Sequence, residues 1–158
     1  MNVLDILKYG NLTLLKSVEG LPEEKWEVGG VCGVWSVKDI MAHLASFEHM
    51  LAEALDTLLG AEFGPTMSEM AQMGNGWNDT QVERRKDKTV AEVLAEYNQV
   101  HARVMELAAQ IPGEKYSENG TIPWYGPEYC LDDFIVYTSY GHKREHSAQI
   151  MAFRDTLA

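Results

Sequence analysis

Apolar residues recur at three- and four-residue steps over four long stretches of the chain, the period of amphipathic helices. The first runs from about Val3 to Val18, with Val3, Leu4, Leu7, Leu14, Leu15 and Val18 on its stripe and Gly20-Leu21-Pro22 after it. The second opens at Ser36 and runs to about Leu59, where Gly60 supplies a stop. Its stripe is Ile40, Leu44, Phe47, Leu51, Leu55 and Leu58, and Ser36 with Asp39 forms a capping-box pattern. Trp35 and Ile40 flank that cap as a hydrophobic staple would. The third follows a second capping box, Thr89 with Glu92, and carries Val93, Tyr97, Val100, Val104, Leu107 and Ile111 up to Pro112-Gly113. The fourth runs from about Leu131 to Thr156, with Phe134, Ile135, Thr138, His142, His146, Ile150 and Phe153 on one face. No alternating strand pattern or internal repeat competes with this reading.

The links differ. Residues 20–35 hold Trp26 and four glycines, and residues 112–130 hold Trp124, Tyr125 and Tyr129. Residues 60–88 are long enough to cross a bundle from end to end, with short helices expected around Ser68–Met73 and Asp79–Arg85. The second and third helices can then run parallel. The expected fold is all-α: one domain over residues 1–158, a four-helix bundle with a long crossover between helices two and three.

Composition narrows the function. At 46% hydrophobic and 23% charged the chain is an ordinary globular one. A domain of this length buries roughly 70% of its unfolded surface, so it needs no staple. A net charge of −11, with its densest basic stretch, Glu83-Arg84-Arg85-Lys86-Asp87-Lys88, interrupted by acids, argues against nucleic acid. No apolar run reaches the ~20 residues of a membrane span. The N-terminus has no basic-then-apolar signal pattern, and two cysteines suit a reducing cytoplasm. Cys32 and Cys130 precede helices two and four, so the topology separates them and both are expected to be free.

The histidines carry the candidate chemistry. His142 and His146 stand four apart on one helical face, so both rings can reach one ion. Catalytic zinc sites commonly use three protein ligands and keep one position open. His43, on the stripe of helix two, can supply the third if helices two and four run antiparallel. His49 lies six residues on, about 120° around the helix. His49 and His101 are expected at the surface. A buried histidine or an apolar-face pair can also be plain packing, so the ligand reading needs all three together.

Competing motifs fail on the page. No Glu stands three before any His, which excludes the di-iron bundle pattern. His142-Lys143-Arg144-Glu145-His146 matches an inverted zinc-peptidase string with Glu145 as base. It lies 12 residues from the C-terminus, however, with no room for a downstream ligand. The expected mouth of the site is the end of the bundle that collects Trp26, Cys32, Trp35, Trp77 and Asn78; those aromatics can equally plug that end. Cys32 is a weaker candidate fourth ligand. Gly141, before His142, costs about 1 kcal/mol against Ala in a helix and would suit a close approach.

Trp35-Ser36-x-x-Asp39, His43-Leu44 and, far downstream, His142-x-x-x-His146-x-x-Gln149 together resemble the DinB/YfiT-like superfamily. The resemblance covers nearly the whole chain. It implies a four-helix bundle and a divalent metal, zinc or nickel, at the positions of His43, His142 and His146. It also implies a metal-dependent enzyme acting on a small molecule, such as a thiol-dependent S-transferase with a low-molecular-weight thiol cosubstrate. Non-catalytic small-molecule or metal sequestration, a resistance function, is the alternative. A small-molecule substrate and a homodimer are the partners this reading carries. Metal binding is expected to weaken as pH falls through the ordinary histidine range near 6.5.

Overall fold

Asn2 accepts a hydrogen bond from the Asp5 amide and starts α1, Val3–Val18. This is the first element of a computed structural model that describes residues 2–158. Val3, Leu7, Gly10, Leu14 and Val18 line the buried face of α1. Helix α2 spans Val37–Leu58 behind the full Ser36/Asp39 capping box. Helix α5 spans Val90–Gln110 behind the Thr89/Glu92 box. Between them lie the two short helices of the link, α3 (Pro65–Met73) and α4 (Trp77–Glu83).

Glu53 of α2 holds that link in place. Its carboxylate accepts from the Thr66 and Met67 amides at 3.0 and 2.8 Å, satisfying the open N-terminus of α3. A Cβ at Gly64 would overlap the Glu53 carboxyl group and push it off these amides.

The last helical stretch departs from expectation. It is not one α-helix from Leu131 to Thr156. Helix α6 (Leu131–Ile135) passes into π-helical turns at Val136–Gly141, and α7 (His142–Asp155) follows. The local chemistry suits a widened turn. The Thr138 hydroxyl bonds back to the Phe134 carbonyl at 2.6 Å, and Gly141 sits where a Cβ would lie 3.2 Å from the Val136 carbonyl oxygen. The close approach between helices belongs instead to Gly10, whose missing Cβ would meet Tyr140 at 3.1 Å.

Helix α2 packs mainly on α5 and α1 on α7, with further contacts joining α1 to α5 and α2 to α7. Among the described residues there are no strands beyond an isolated bridge between Cys32 and Trp35, so the chain is all-helical. Both cysteines are free, and among the described residues no helix is long and apolar enough to cross a membrane.

The core comes in two apolar clusters. One gathers Val3, Leu7, Leu51, Leu55, Val104, Leu107 and Phe134. The other gathers Leu14, Trp26, Val37, Ile40, Leu44, Val93, Tyr97 and Ile150. Near the junction of the two, each long helix carries a polar residue: Asn11, Glu48, His101 and Lys143. At this waist Lys143 Nζ lies 2.7 Å from Glu48 Oε1, both side chains 2% exposed. The contact is an ion pair without hydrogen-bond alignment at Nζ. His101 Nδ1 meets the other Glu48 oxygen at 2.8 Å. The Lys143 ammonium also stands 5.6 Å from the Tyr97 ring centre, and the Tyr97 hydroxyl donates to Asn11 at 2.8 Å. His101 is therefore not at the surface, as its isolated place in the sequence suggested. A buried carboxylate holds it.

Candidate metal centre

Helix α2 presents His43 from its buried face, wedged between the rings of Trp35 and Phe47, each with its centre 4.8 Å away. The π turns end at His142, and α7 carries His146 one turn further on. His43 Nε2 and His142 Nε2 lie 2.9 Å apart, and His146 Nε2 and His142 Nε2 lie 3.1 Å apart. The candidate ligand atoms of the three side chains all fall within 4.8 Å of one another. Among the described residues this is the one group of three or more His, Cys, Asp or Glu side chains so placed. Cys32 does not join it. His49 does not either: it is bonded to Glu96 at 3.1 Å on the flank between α2 and α5.

The donor set fits a cation better than it fits protons. The His146 Nδ1–H donates to the Gln149 amide oxygen at 2.8 Å, which leaves Nε2 as a lone pair. If His142 Nε2 is also a lone pair, two lone pairs face each other at 3.1 Å. If it carries a proton, that one proton must serve both His146 and His43. Either way one short contact lacks a proton of its own. A metal ion would use all three lone pairs at once, so these residues could hold a divalent metal.

Electrostatics keep the rings in ligand form. Burial, reinforced by repulsion from the other two imidazoles, pushes His43 down to about 3. Burial and the His146 charge push His142 down to about 4. Burial lowers His146 as well, against a rise from its Gln149 bond. All three are neutral at pH 7, and proton competition moves below the ordinary range near 6.5 expected from sequence.

This has a consequence for the metal-free chain. Once unfolded, it takes up protons on these imidazoles near pH 6.5, whereas the folded chain resists until about 4 for His142 and about 3 for His43. Over that window the unfolded state binds more protons, so stability is present above pH 6.5 and falls as pH falls. Glu48, held low by Lys143 and His101 against its own burial, adds a loss of the same sign that begins in the ordinary carboxylate range and continues below it. Urea denaturation of metal-free protein at pH 7.5 and 5.0 is expected to show a lower midpoint at 5.0. Equal midpoints would show that the histidines are not buried as a neutral group.

Solvent reaches the cluster along His142. An open depression there is lined by Phe47, Tyr137, Thr138, Gly141, His142 and Glu145. It does not lie among the aromatics expected to form the mouth. Trp26 and Trp77 are buried packing residues, Trp77 against Phe47 at 5.5 Å. Trp35 covers His43.

A protein-family model described as the DinB superfamily matches residues 12–150. The chain belongs to the DinB superfamily. The DinB match runs from α1 into α7 and includes all three histidines of the cluster. Metal binding is a property of the DinB superfamily. No match was found among curated proteins or solved structures. One group escaped the sequence reading of this DinB chain altogether: the Glu48–Lys143–His101 contact behind the cluster. The available signal was position. Lys143 falls on the same buried side of α7 as His146, Ser147 and Ile150.

Proposed function

We propose that the chain is a metal-dependent enzyme acting on a small molecule, with one zinc or nickel ion held by His43, His142 and His146. The convergence of three imidazole nitrogens, neutral at pH 7, carries this reading. Zinc or nickel suits imidazole nitrogen, whereas magnesium prefers oxygen. The scaffold in this reading is a four-helix bundle with residues 59–89 as its crossover. Its support is the register of contacts: Glu48 meets His101 and Asp56 meets Arg103, so α2 and α5 advance together. A homodimer in a reducing cytoplasm completes the reading, and the two free cysteines are consistent with that compartment.

When bound, the ion would supply Lewis acidity, holding a thiol as thiolate or lowering the pKa of a water. The protein's own residues do the rest. Gln149 fixes the His146 tautomer and ring orientation. Phe47 and Trp35 wall His43 from water. Glu145, which lines the depression, would accept a proton from a thiol or water entering beside His142. The low-molecular-weight thiol is then the nucleophile and a small electrophile the acceptor.

The test is turnover by zinc- or nickel-loaded protein with a matrix of thiols and electrophiles, including glutathione, bacillithiol and mycothiol. The expected result is transfer that needs both the metal and one thiol. Stoichiometric metal with no turnover across the matrix would replace the enzyme with a sequestration protein.

A further inference from the structure

Tyr137 is 66% exposed, more than any other large apolar side chain among the described residues except Val34. An aromatic ring left in water is unfavourable, and contiguous exposed aromatic surface commonly marks a binding site. Tyr137 stands on the rim of the depression that opens on His142.

A second aromatic ring in the lining is Phe47. Its ring centre lies 4.5 Å from that of His142, edge to face, and the buried Trp77 ring backs it at 5.5 Å. Phe47 is thus held in place, while Tyr137 faces solvent. The rest of the lining offers little to a polar guest. The Thr138 hydroxyl is committed to the Phe134 carbonyl at 2.6 Å, and Gly141 has no side chain. The one charged group on the rim is the Glu145 carboxylate. The depression is therefore an open, mostly apolar slot whose lining includes two aromatic rings, a candidate metal ligand and one carboxylate.

We propose that this slot takes the aromatic portion of an uncharged substrate, lying against Phe47 and Tyr137 while a donor atom beside it reaches the metal at His142. This deepens the proposed function and rests on its metal centre. Glu145 and the net charge of −11 disfavour an anionic ring substituent, while the ring walls favour a planar group over an aliphatic one of similar size.

Two hydroxamates that present the same metal-binding head provide the test. The full chain, loaded with cobalt(II), is titrated with benzohydroxamate and with acetohydroxamate, and the visible absorption of the cobalt is followed. Benzohydroxamate is expected to bind about 10-fold tighter, the scale of one favourable aromatic contact. In Tyr137→Ala, a change at an exposed side chain that the fold tolerates, the ratio of the two affinities should fall several-fold, to what Phe47 alone supports. Equal affinities in the unaltered protein, or a preference undiminished in Tyr137→Ala, would overturn the aromatic slot and leave the metal centre standing. A chain that takes up no cobalt, or whose spectrum neither hydroxamate changes, would overturn both.

Discussion

Lys143→Met is expected to lower the unfolding free energy of the metal-free protein by about 3–5 kcal/mol, the usual result of removing one partner of a buried ion pair. Lys143 and Glu48 are each 2% exposed, and their charges meet at 2.7 Å. Methionine keeps most of the alkyl stem and packs without strain, so volume is not the issue. What remains is a carboxylate in the core with one neighbour, His101, at 2.8 Å. Its charge has lost the cation that holds the Glu48 pKa down. The chain must then bury an uncompensated anion, protonate it or admit water.

The paired change Glu48→Gln with Lys143→Met removes both charges and should recover most of the loss. Urea denaturation at pH 7.5 of the two single variants and the double completes the cycle. A loss below about 1 kcal/mol for Lys143→Met would show a pair that behaves as a surface bridge does.

Metal stoichiometry gives the second large effect. His142→Ala should lose stoichiometric zinc or nickel altogether, because His142 Nε2 is the atom that touches both of the others, at 2.9 and 3.1 Å. His146→Ala should do the same, leaving two ligands from different helices. His43→Ala should weaken binding strongly, since the remaining pair shares one helix and stays in register. His49→Ala should leave binding intact.

His101→Ala separates the two buried histidine groups. It should keep one equivalent of metal while losing about 1–3 kcal/mol of stability, because Glu48 loses a hydrogen-bond donor in the core. Elemental analysis after equilibrium dialysis, on protein without a histidine tag, reads all five variants. If His142→Ala retains one equivalent at unaltered affinity, the ion sits elsewhere.

The helices and their starts were legible because their signals are local. Ser36 and Asp39, or Thr89 and Glu92, meet within one turn, so the residues that predict the cap also form it. His142 and His146 were legible for the same reason, being one turn apart. His43 needed only the assumption that helices two and four face each other.

The waist was not legible. Glu48 and Lys143 are separated by most of the chain, and each alone reads as a solvated residue on a helix. Periodicity counts apolar positions and assigns charged ones to the surface. It cannot register a charge whose partner comes from another helix. The π turns were missed for a related reason, since Thr138, Ser139 and Gly141 weaken an α-helix without saying which alternative takes its place. The sequence left the mouth open between two readings because aromatics near a helix start look alike whether they line a cleft or fill one, and Trp26 and Trp77 fill.

The polar layer between the two apolar clusters also acts as a key. An apolar helix can slide along its neighbour by one turn, about 5.4 Å, and find similar side chains to pack against. Helices α2 and α7 cannot. A slip would carry Glu48 and Lys143 away from each other and into Leu, Ile and Val on either side. Tyr97 and Asn11 impose the same condition on α5 and α1. The vertical alignment of the helices is thus set at mid-height, within a turn or two of the three imidazoles, and not by the loops at the ends. The length of the 112–130 connection is then free to drift among relatives without moving His43 off the level of His142 and His146.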